Sequence, residues 1–410
     1  MLLDRIYHAI STASLAIRAS RIYTPYTVIK DGVVVIRDGK ISYVGQDIAM
    51  GLGCKLLEFP EAICAPGFID LHVHGGGGGD FADGNPKSIR RACAFHARGG
   101  TTSLLATLMS EPLDQMIRAV DVIKPYVGCD TGGSEILGVH LEGPFLNPEM
   151  SRAHPRDYLR LPKGEVVERL LGYADVVRRV TIAPELEGGI EAVRLFSCAG
   201  MLVSIGHSNA EYDVVRKAFI AGLRHATHLY NAMGRAFKRG PYRVPGTLES
   251  VLALDGITAE IIADGRHVHP ALIRLAVKAK GYENLCLVTD AMRAAGMPDG
   301  RYKLGSLESG VEVVVRGGVS YLADGNSFAG TTISMVDAVK VMARLGYPLD
   351  KVFVMASTVP ARVLGLGSKK GVLRPGFDGD LVVLDKNLNV LLTVVKGRIV
   401  YARSQLKDIL

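Results

Sequence analysis

Histidines and carboxylates recur in this 410-residue chain at the ends of short apolar runs. His72 and His74 close the run GFIDLHVH. Residues i and i+2 of a strand share a face, so both imidazoles point the same way. His140 and Glu142 repeat that spacing in EILGVHLEG, His207 ends GMLVSIGHS, His228 lies in RHATHLYNAM and Asp290 follows Thr289 in ENLCLVTDAM. Imidazole and carboxylate together suit zinc, iron, nickel or manganese, with no cysteine required. His72, His74, Glu142, His207, His228 and Asp290 are therefore the candidate metal ligands, provided the fold brings those run ends together. His140 is expected one layer deeper, steadying the ligands from behind. His225 lies three residues before His228, which puts it on the other side of the strand in a structural role. His8 and His96 read as surface residues, and His269 has no assigned role. His154, twelve residues after Glu142, is either a substrate contact or an ordinary loop histidine.

Convergence depends on the elements carrying these residues. Eight apolar runs alternate with helical stretches: GFIDLHVH, TTSLLATL, EILGVHLEG, RRVTIAPE, GMLVSIGHS, RHATHLYNAM, GITAEIIADG and ENLCLVTDAM. Such alternation implies parallel strands joined by crossover helices. Eight units fit a (β/α)8 TIM-type barrel, in which function gathers at the C-terminal strand ends. A doubly wound sheet is the alternative. Residues 14–65 and the chain end from Gly371 read instead as short β runs broken by Gly, Asp and Pro, with Asp31-Gly32 and Asp38-Gly39 as hairpin turns. The two ends are expected to build one small β-sandwich domain from 1–65 and 361–410 around a barrel at 66–360. The glycines 75–79 let backbone approach a ligand closely, form a flexible loop, or do both.

Composition narrows the class. Hydrophobic residues make up 48% and charged residues 22%, the balance of a globular protein. The formal net charge of +7 leaves anionic partners open, but both signs are interspersed, which argues against a nucleic-acid stripe. The six cysteines are scattered with no CxxC pair, so neither a disulfide framework nor a zinc ribbon is implied. No apolar run reaches 18 residues, so no spanning helix is expected, and the first twenty residues do not read as a signal peptide. A cytoplasmic enzyme with no membrane partner fits these features.

The segment APGFIDLHVHG at 65–75 resembles the opening motif of the amidohydrolase superfamily. A longer set, HLEGPFLNP at 140–148, AHP at 153–155, GHSNA at 206–210, THLYNAM at 227–233, ADGRHVHP at 263–270, LVTDAM at 287–292 and FAGTTISM at 328–335, is similar to that of the N-acetylglucosamine-6-phosphate deacetylase family. That resemblance implies hydrolysis of the acetamide of N-acetylglucosamine 6-phosphate. Glu142, His207 and His228 would hold a divalent ion. The presence of His72 and His74 implies room for a second, with Glu142 bridging and Asp290 beside the metal water. Zinc comes first among the candidates, followed by iron, nickel, cobalt and manganese. A bound ion lowers the pKa of its water to about 7, supplying hydroxide as nucleophile. Asp290 would be general base and acid, and His154 would polarise the carbonyl.

The resemblance also places Arg243 and His267, with the backbone at Asn231-Ala232, against the phosphate. Because this chain carries an insertion, RAFKRGPYR, Arg239 competes with Arg243 for that role. The same loop reaches a neighbouring subunit in the family, which implies a homodimer. A second departure is Ser151-Arg152 before AHP, where a Lys-Gly pair is common. The alternative function is a related amidohydrolase acting on another N-acetylated amino sugar phosphate or amide.

Overall fold

The computed structural model describes residues 14–47, 53–325 and 327–404. The expected His8 and the expectations about the first residues lie outside them. All eight predicted runs form strands of one sheet: Phe68–Val73, Thr101–Leu108, Glu135–Glu142, Val177–Ile182, Leu202–Ile205, His225–Ala226, Thr258–Ile262 and Leu285–Val288, hydrogen-bonded in chain order. The pairs are parallel throughout. The sheet curls until its last strand meets its first. The Asp290 N–H donates to the His72 carbonyl at 2.9 Å, and Val73 bridges to Ala291. Thr289 anchors this seam by donating its hydroxyl to buried Asp70 at 2.6 Å.

Crossover helices cover the outside of the barrel. Pro86–Arg98 shows why: Asn85 caps its first turn through Ser88 N–H, Pro86 starts it, and Ile89, Ala92 and Cys93 fall on one buried face.

A second sheet of seven strands joins the two chain ends. Its order runs Arg398–Ala402, Val390–Val395, Leu381–Leu384, Lys55–Pro66, Leu15–Tyr23, Val28–Arg37, Lys40–Gly45. It has its own apolar core, including Ile17, Ile22, Ile36, Leu57, Leu381 and Leu392. Asp38-Gly39 makes the expected hairpin turn, with φ of 50° and 74°. Asp31-Gly32 does not: both lie inside the strand Val28–Arg37, where Asp31 takes φ 48° within continuing sheet pairing.

The glycine run folds as a tight hairpin. Gly75-Gly76 pair antiparallel with Gly79-Asp80 around a turn at Gly77 and Gly78, both with positive φ. A Cβ on Gly75 would sit 2.2 Å from the Gly79 carbonyl oxygen, so the close approach is of backbone to backbone.

Barrel and end sheet are tied by a buried charge cluster. Lys370 Nζ lies 2.6 Å from Glu135, 3.0 Å from Asp378 and 2.7 Å from Asp380. Burial opposes the ammonium, but the carboxylates outweigh it and hold the lysine well above its ordinary range. Lys370→Met should cost about 3 kcal/mol, because it strands the buried Asp380 carboxylate, while Glu135 keeps Lys396 and Asp378 keeps Lys40. Denaturant unfolding checks this, and an unchanged midpoint would show that Lys40 and Lys396 suffice to balance the cluster.

Candidate active site

The strand ends deliver their side chains to one point. The Nε2 atoms of five histidines surround the buried Glu142 carboxylate: His207 and His228 at 3.0 Å, His74 at 3.3 Å, His72 and His154 at 3.4 Å. Asp290 Oδ1 stands 3.2 Å from His74 Nε2 and 3.4 Å from His72 Nε2. His207, His228 and Asp290 all take left-handed backbone, with φ of 48°, 28° and 50°. Each lies just past the end of its strand, and this unfavourable turn aims the side chain across the barrel mouth.

The electrostatics call for positive charge. Burial would push the Glu142 carboxyl up, but the facing imidazoles outweigh it and hold it well below the ordinary range. Asp290 is likewise held down against burial by His72 and His74. Burial disfavours charge on His72 and His74 too. The two carboxylates nevertheless raise His72 well above its usual value and His74 to about 9. His207 commits Nδ1–H to the Met150 carbonyl at 2.8 Å, so its Nε2 lone pair faces carboxylate oxygen. Two acceptors meet there at 3.0 Å, and a cation between them resolves the conflict. His72, His74 and Asp290 form one cluster able to hold an ion, and Glu142, His154 and His207 another.

His154 differs. The Ser110 backbone N–H donates to its Nδ1 at 3.1 Å, which leaves the proton on Nε2. Burial dominates its titration and pushes the imidazole down to about 4, against the pull of Glu142. It is therefore a neutral hydrogen-bond donor at neutral pH.

The other expected histidines divide. His140 does lie deeper, between Thr107 at 3.2 Å and Thr181 at 2.7 Å, its ring 4.8 Å from that of His72. His225 is structural, bound to Thr258 at 2.6 Å, but it does not face away from the site. Its Nε2 is 3.6 Å from Glu260 inside the barrel, because the strand ends at Ala226 and His228 turns inward only through its left-handed backbone. His96 is not a surface residue. It is fully buried, 2.9 Å from the Gly75 carbonyl, and burial pushes it down to about 4. The helix carrying it packs this face against the glycine hairpin. His269 caps the helix Pro270–Lys280 by accepting the Ala271 N–H.

A cavity of about 420 Å³ opens above Glu142 and Asp290, lined also by His154, Asn231, Ala232 and His267. His267 donates Nδ1–H to Asp264 at 2.7 Å. Burial would raise the Asp264 carboxyl, but this contact holds it below its ordinary range. Arg243 does not line the cavity. It sits on an exposed hairpin, Phe237–Arg239 with Tyr242–Val244, formed by the inserted residues. Arg239, on the same hairpin, ion-pairs with Glu211. The arginines that do line the cavity are Arg152 and Arg235. Sequence reading missed Arg235 in this role, although it opens the very insertion that marked the loop as unusual.

Also missed was a three-stranded flap, Gly300–Leu304, Val311–Arg316 and Val319–Leu322, which brings Leu304 and Tyr321 to the cavity. Beside it Phe328 packs its ring 4.8 Å from His267. A polar interior pair, Arg179 and Glu260, also escaped notice, since neither carries a motif.

An eight-stranded barrel with imidazoles and carboxylates gathered at its C-terminal rim is the architecture of barrel enzymes that hold a divalent ion where their loops meet. The amidohydrolase family profile matches residues 63–400. The chain belongs to the amidohydrolase family and, within it, to the N-acetylglucosamine-6-phosphate deacetylase family. It is 34% identical to N-acetylglucosamine-6-phosphate deacetylase of Bacillus subtilis (strain 168), covering 97% of this chain and 99% of that one. It is 35% identical to N-acetylgalactosamine-6-phosphate deacetylase of Escherichia coli O157:H7, covering 93% and 98%. Among solved structures, a mutant N-acetyl-D-glucosamine-6-phosphate deacetylase from Mycobacterium smegmatis in complex with N-acetyl-D-glucosamine 6-phosphate superposes with a TM-score of 0.87. The identity is 33%, over 95% of this chain and all of that one.

Proposed function

We propose that this protein hydrolyses the acetamide of N-acetyl-D-glucosamine 6-phosphate to D-glucosamine 6-phosphate and acetate. The observation that carries this reading is the polarity of the cavity. Its lining carboxylates, Glu142 and Asp290, sit among the imidazoles, and the same wall also carries Arg152, Arg235 and His267. An amide directed at the carboxylates leaves a phosphate to meet cationic or N–H donors.

His72, His74, Glu142, His207, His228 and Asp290 would hold one or two divalent ions, zinc first, with iron, nickel, cobalt and manganese accepting the same donors. The ion supplies Lewis acidity and a water that ionises near neutral pH. Asp290 Oδ1 takes the proton from the attacking water as its oxygen bonds to the acetyl carbon. The same proton passes to the sugar nitrogen as the C–N bond breaks. His154, neutral with its proton on Nε2, donates to the carbonyl oxygen as negative charge develops there.

Asn231, Ala232 and His267 hold the phosphate, with Arg235 as the cation from the same chain. With Nδ1–H committed to Asp264, His267 offers a second N–H to phosphate only as the imidazolium. Arg243, outside its own chain's cavity, serves the phosphate in a homodimer, by reaching the cavity of the second copy. The division into an end domain at 1–65 and 361–410 and a barrel at 66–360 belongs to the same reading. So does a cytoplasmic location. Among the described residues, no helix is long and apolar enough to cross a membrane.

The similarity to the galactosamine-type deacetylase makes the 4-epimer the nearest alternative substrate. The deciding experiment compares deacetylation of N-acetylglucosamine 6-phosphate, its 4-epimer and unphosphorylated N-acetylglucosamine, with metal analysis of the same sample. Two charge-assisted phosphate contacts at about 1.5–3 kcal/mol each predict a fall in kcat/KM of at least about 10²-fold without the phosphate. Equal turnover of the unphosphorylated sugar would sink the assignment, and preference for the 4-epimer would transfer it.

A further inference from the structure

Beneath the carboxylate and imidazole cluster lies a fully buried ion pair, Arg179 from the fourth barrel strand and Glu260 from the seventh. Arg179 spans the barrel interior. Besides Glu260 it donates to the Leu71 carbonyl at 3.1 Å, Ser204 Oγ at 2.9 Å and Thr227 Oγ1 at 2.8 Å. Glu260 faces upward as well as toward the arginine. Its Oε2 accepts the Nδ1–H of His72 at 3.2 Å and the backbone N–H of His228 at 3.0 Å.

Those two bonds reach histidines with different needs. With Nδ1–H given to Glu260, the Nε2 lone pair of His72 is turned toward Glu142 and Asp290. His228 has no anchor on its own ring, since its buried Nδ1 finds no hydrogen-bond partner among the described residues. Its aim therefore depends on its backbone, which stands at φ 28° one residue past Thr227. A strained turn of that kind needs a fixed acceptor to hold it, and Glu260 Oε2 is that acceptor. His207 is handled separately, through the Met150 carbonyl.

We infer that Glu260, charge-balanced by Arg179, is the positioning residue that aims both His72 and His228 at the Glu142 carboxylate. It touches neither substrate nor reacting atoms and acts only through the two histidines. This rests on the reading above that His72 and His228 hold an ion. Carboxylates and carbonyls behind ligating histidines set ring orientation and tautomer, and their loss costs about 10–100-fold in metal affinity.

The test uses zinc ion alone, titrated against a competing chelator into the metal-free full chain. E260Q by itself leaves Arg179 buried beside an amide and can fail to fold. The informative variants are therefore R179M/E260L and R179M/E260Q. Replacing a buried ion pair as a pair is often neutral or stabilising, so both are expected to keep the barrel, read by circular dichroism. R179M/E260L, which has no acceptor, should bind zinc about 10–100-fold more weakly and lose kcat with little change in KM. R179M/E260Q keeps an amide oxygen for His72 and the His228 N–H and should recover most of that loss. Native zinc affinity in R179M/E260L overturns the inference, as does an equal loss in both double variants.

Hydrogen exchange of the unaltered, metal-free chain gives an independent reading. The His228 amide should be slow to exchange, and fast exchange also overturns the inference. Because zinc binding and exchange need no substrate, they stay readable even if the 6-phosphate proves not to be turned over.

Discussion

Asp290→Asn is expected to lower kcat about 10²–10⁴-fold, the range contributed by a positioned general base, while metal content and KM stay close to those of the unaltered protein. The substitution keeps a carbonyl oxygen where Oδ1 now stands, 3.2 Å from His74 Nε2 and 3.4 Å from His72 Nε2, so a ligand atom remains. It removes the ability to take a proton from water and return it to the sugar nitrogen. The carboxyl is free to take that proton because His72 and His74 outweigh burial and hold it below the ordinary carboxylate range, so it stands ionised at neutral pH. Steady-state kinetics with metal analysis of the same preparation decide the matter. Turnover within about threefold of the unaltered protein would remove Asp290 as the proton carrier, since a catalytic base cannot be dispensable by that margin. Loss of metal together with turnover would make it a ligand first and a base second.

Glu142→Gln should remove activity by a different route, through loss of the bound ion. Five imidazole Nε2 atoms lie within 3.0–3.4 Å of this one carboxylate, with His207 and His228 on Oε1 and His72, His74 and His154 on Oε2. An amide offers one weak acceptor oxygen and brings an NH2 donor among nitrogens that must present lone pairs. Metal content is expected to fall at least about tenfold, since losing even a partner behind a ligand costs about 10–100-fold in affinity. Turnover should fall at least as far as metal content does, about tenfold or more, because the ion supplies the ionisable water. Excess zinc should restore occupancy and turnover together. A variant with full metal occupancy and no turnover would place Glu142 in the chemistry rather than at the ion.

The contrast between the two variants is useful. Asp290→Asn should separate catalysis from metal binding, whereas Glu142→Gln should lose both together. A scaffold protein on this fold would show no turnover to lose in either case.

Much of the barrel was legible in the chain. Each of the eight apolar runs contains a strand, because short apolar runs alternating with helical stretches have few other ways to satisfy their backbone. The left-handed turns were not legible. Nothing in HATHLYNAM says that the strand stops at Ala226 and that His228 then swings inward, and for that reason His225 was put on the wrong face. His96 was misjudged because its burial comes from the glycine hairpin at 75–80, a partner about twenty residues away that helical periodicity does not see. The inserted loop was recognised as unusual, but not that it would fold into an exposed hairpin, leaving Arg235 in the cavity and Arg243 outside it.

By itself the sequence determined which residue types are available and on which strand each one ends: His72 and His74 on the first, Glu142 on the third, His207 on the fifth, and Asp290 after the eighth. Donor chemistry and strand period are local properties, so they survive without coordinates. Only the tertiary structure decided what lies behind and around those donors. Arg179 and Glu260 are 81 residues apart and belong to no motif. They meet because closing the barrel brings the inward faces of the fourth and seventh strands across one shared interior. A buried charge is tolerable there only when paired. That pairing condition is set by geometry, and it turned two unremarked residues into the floor on which the site stands.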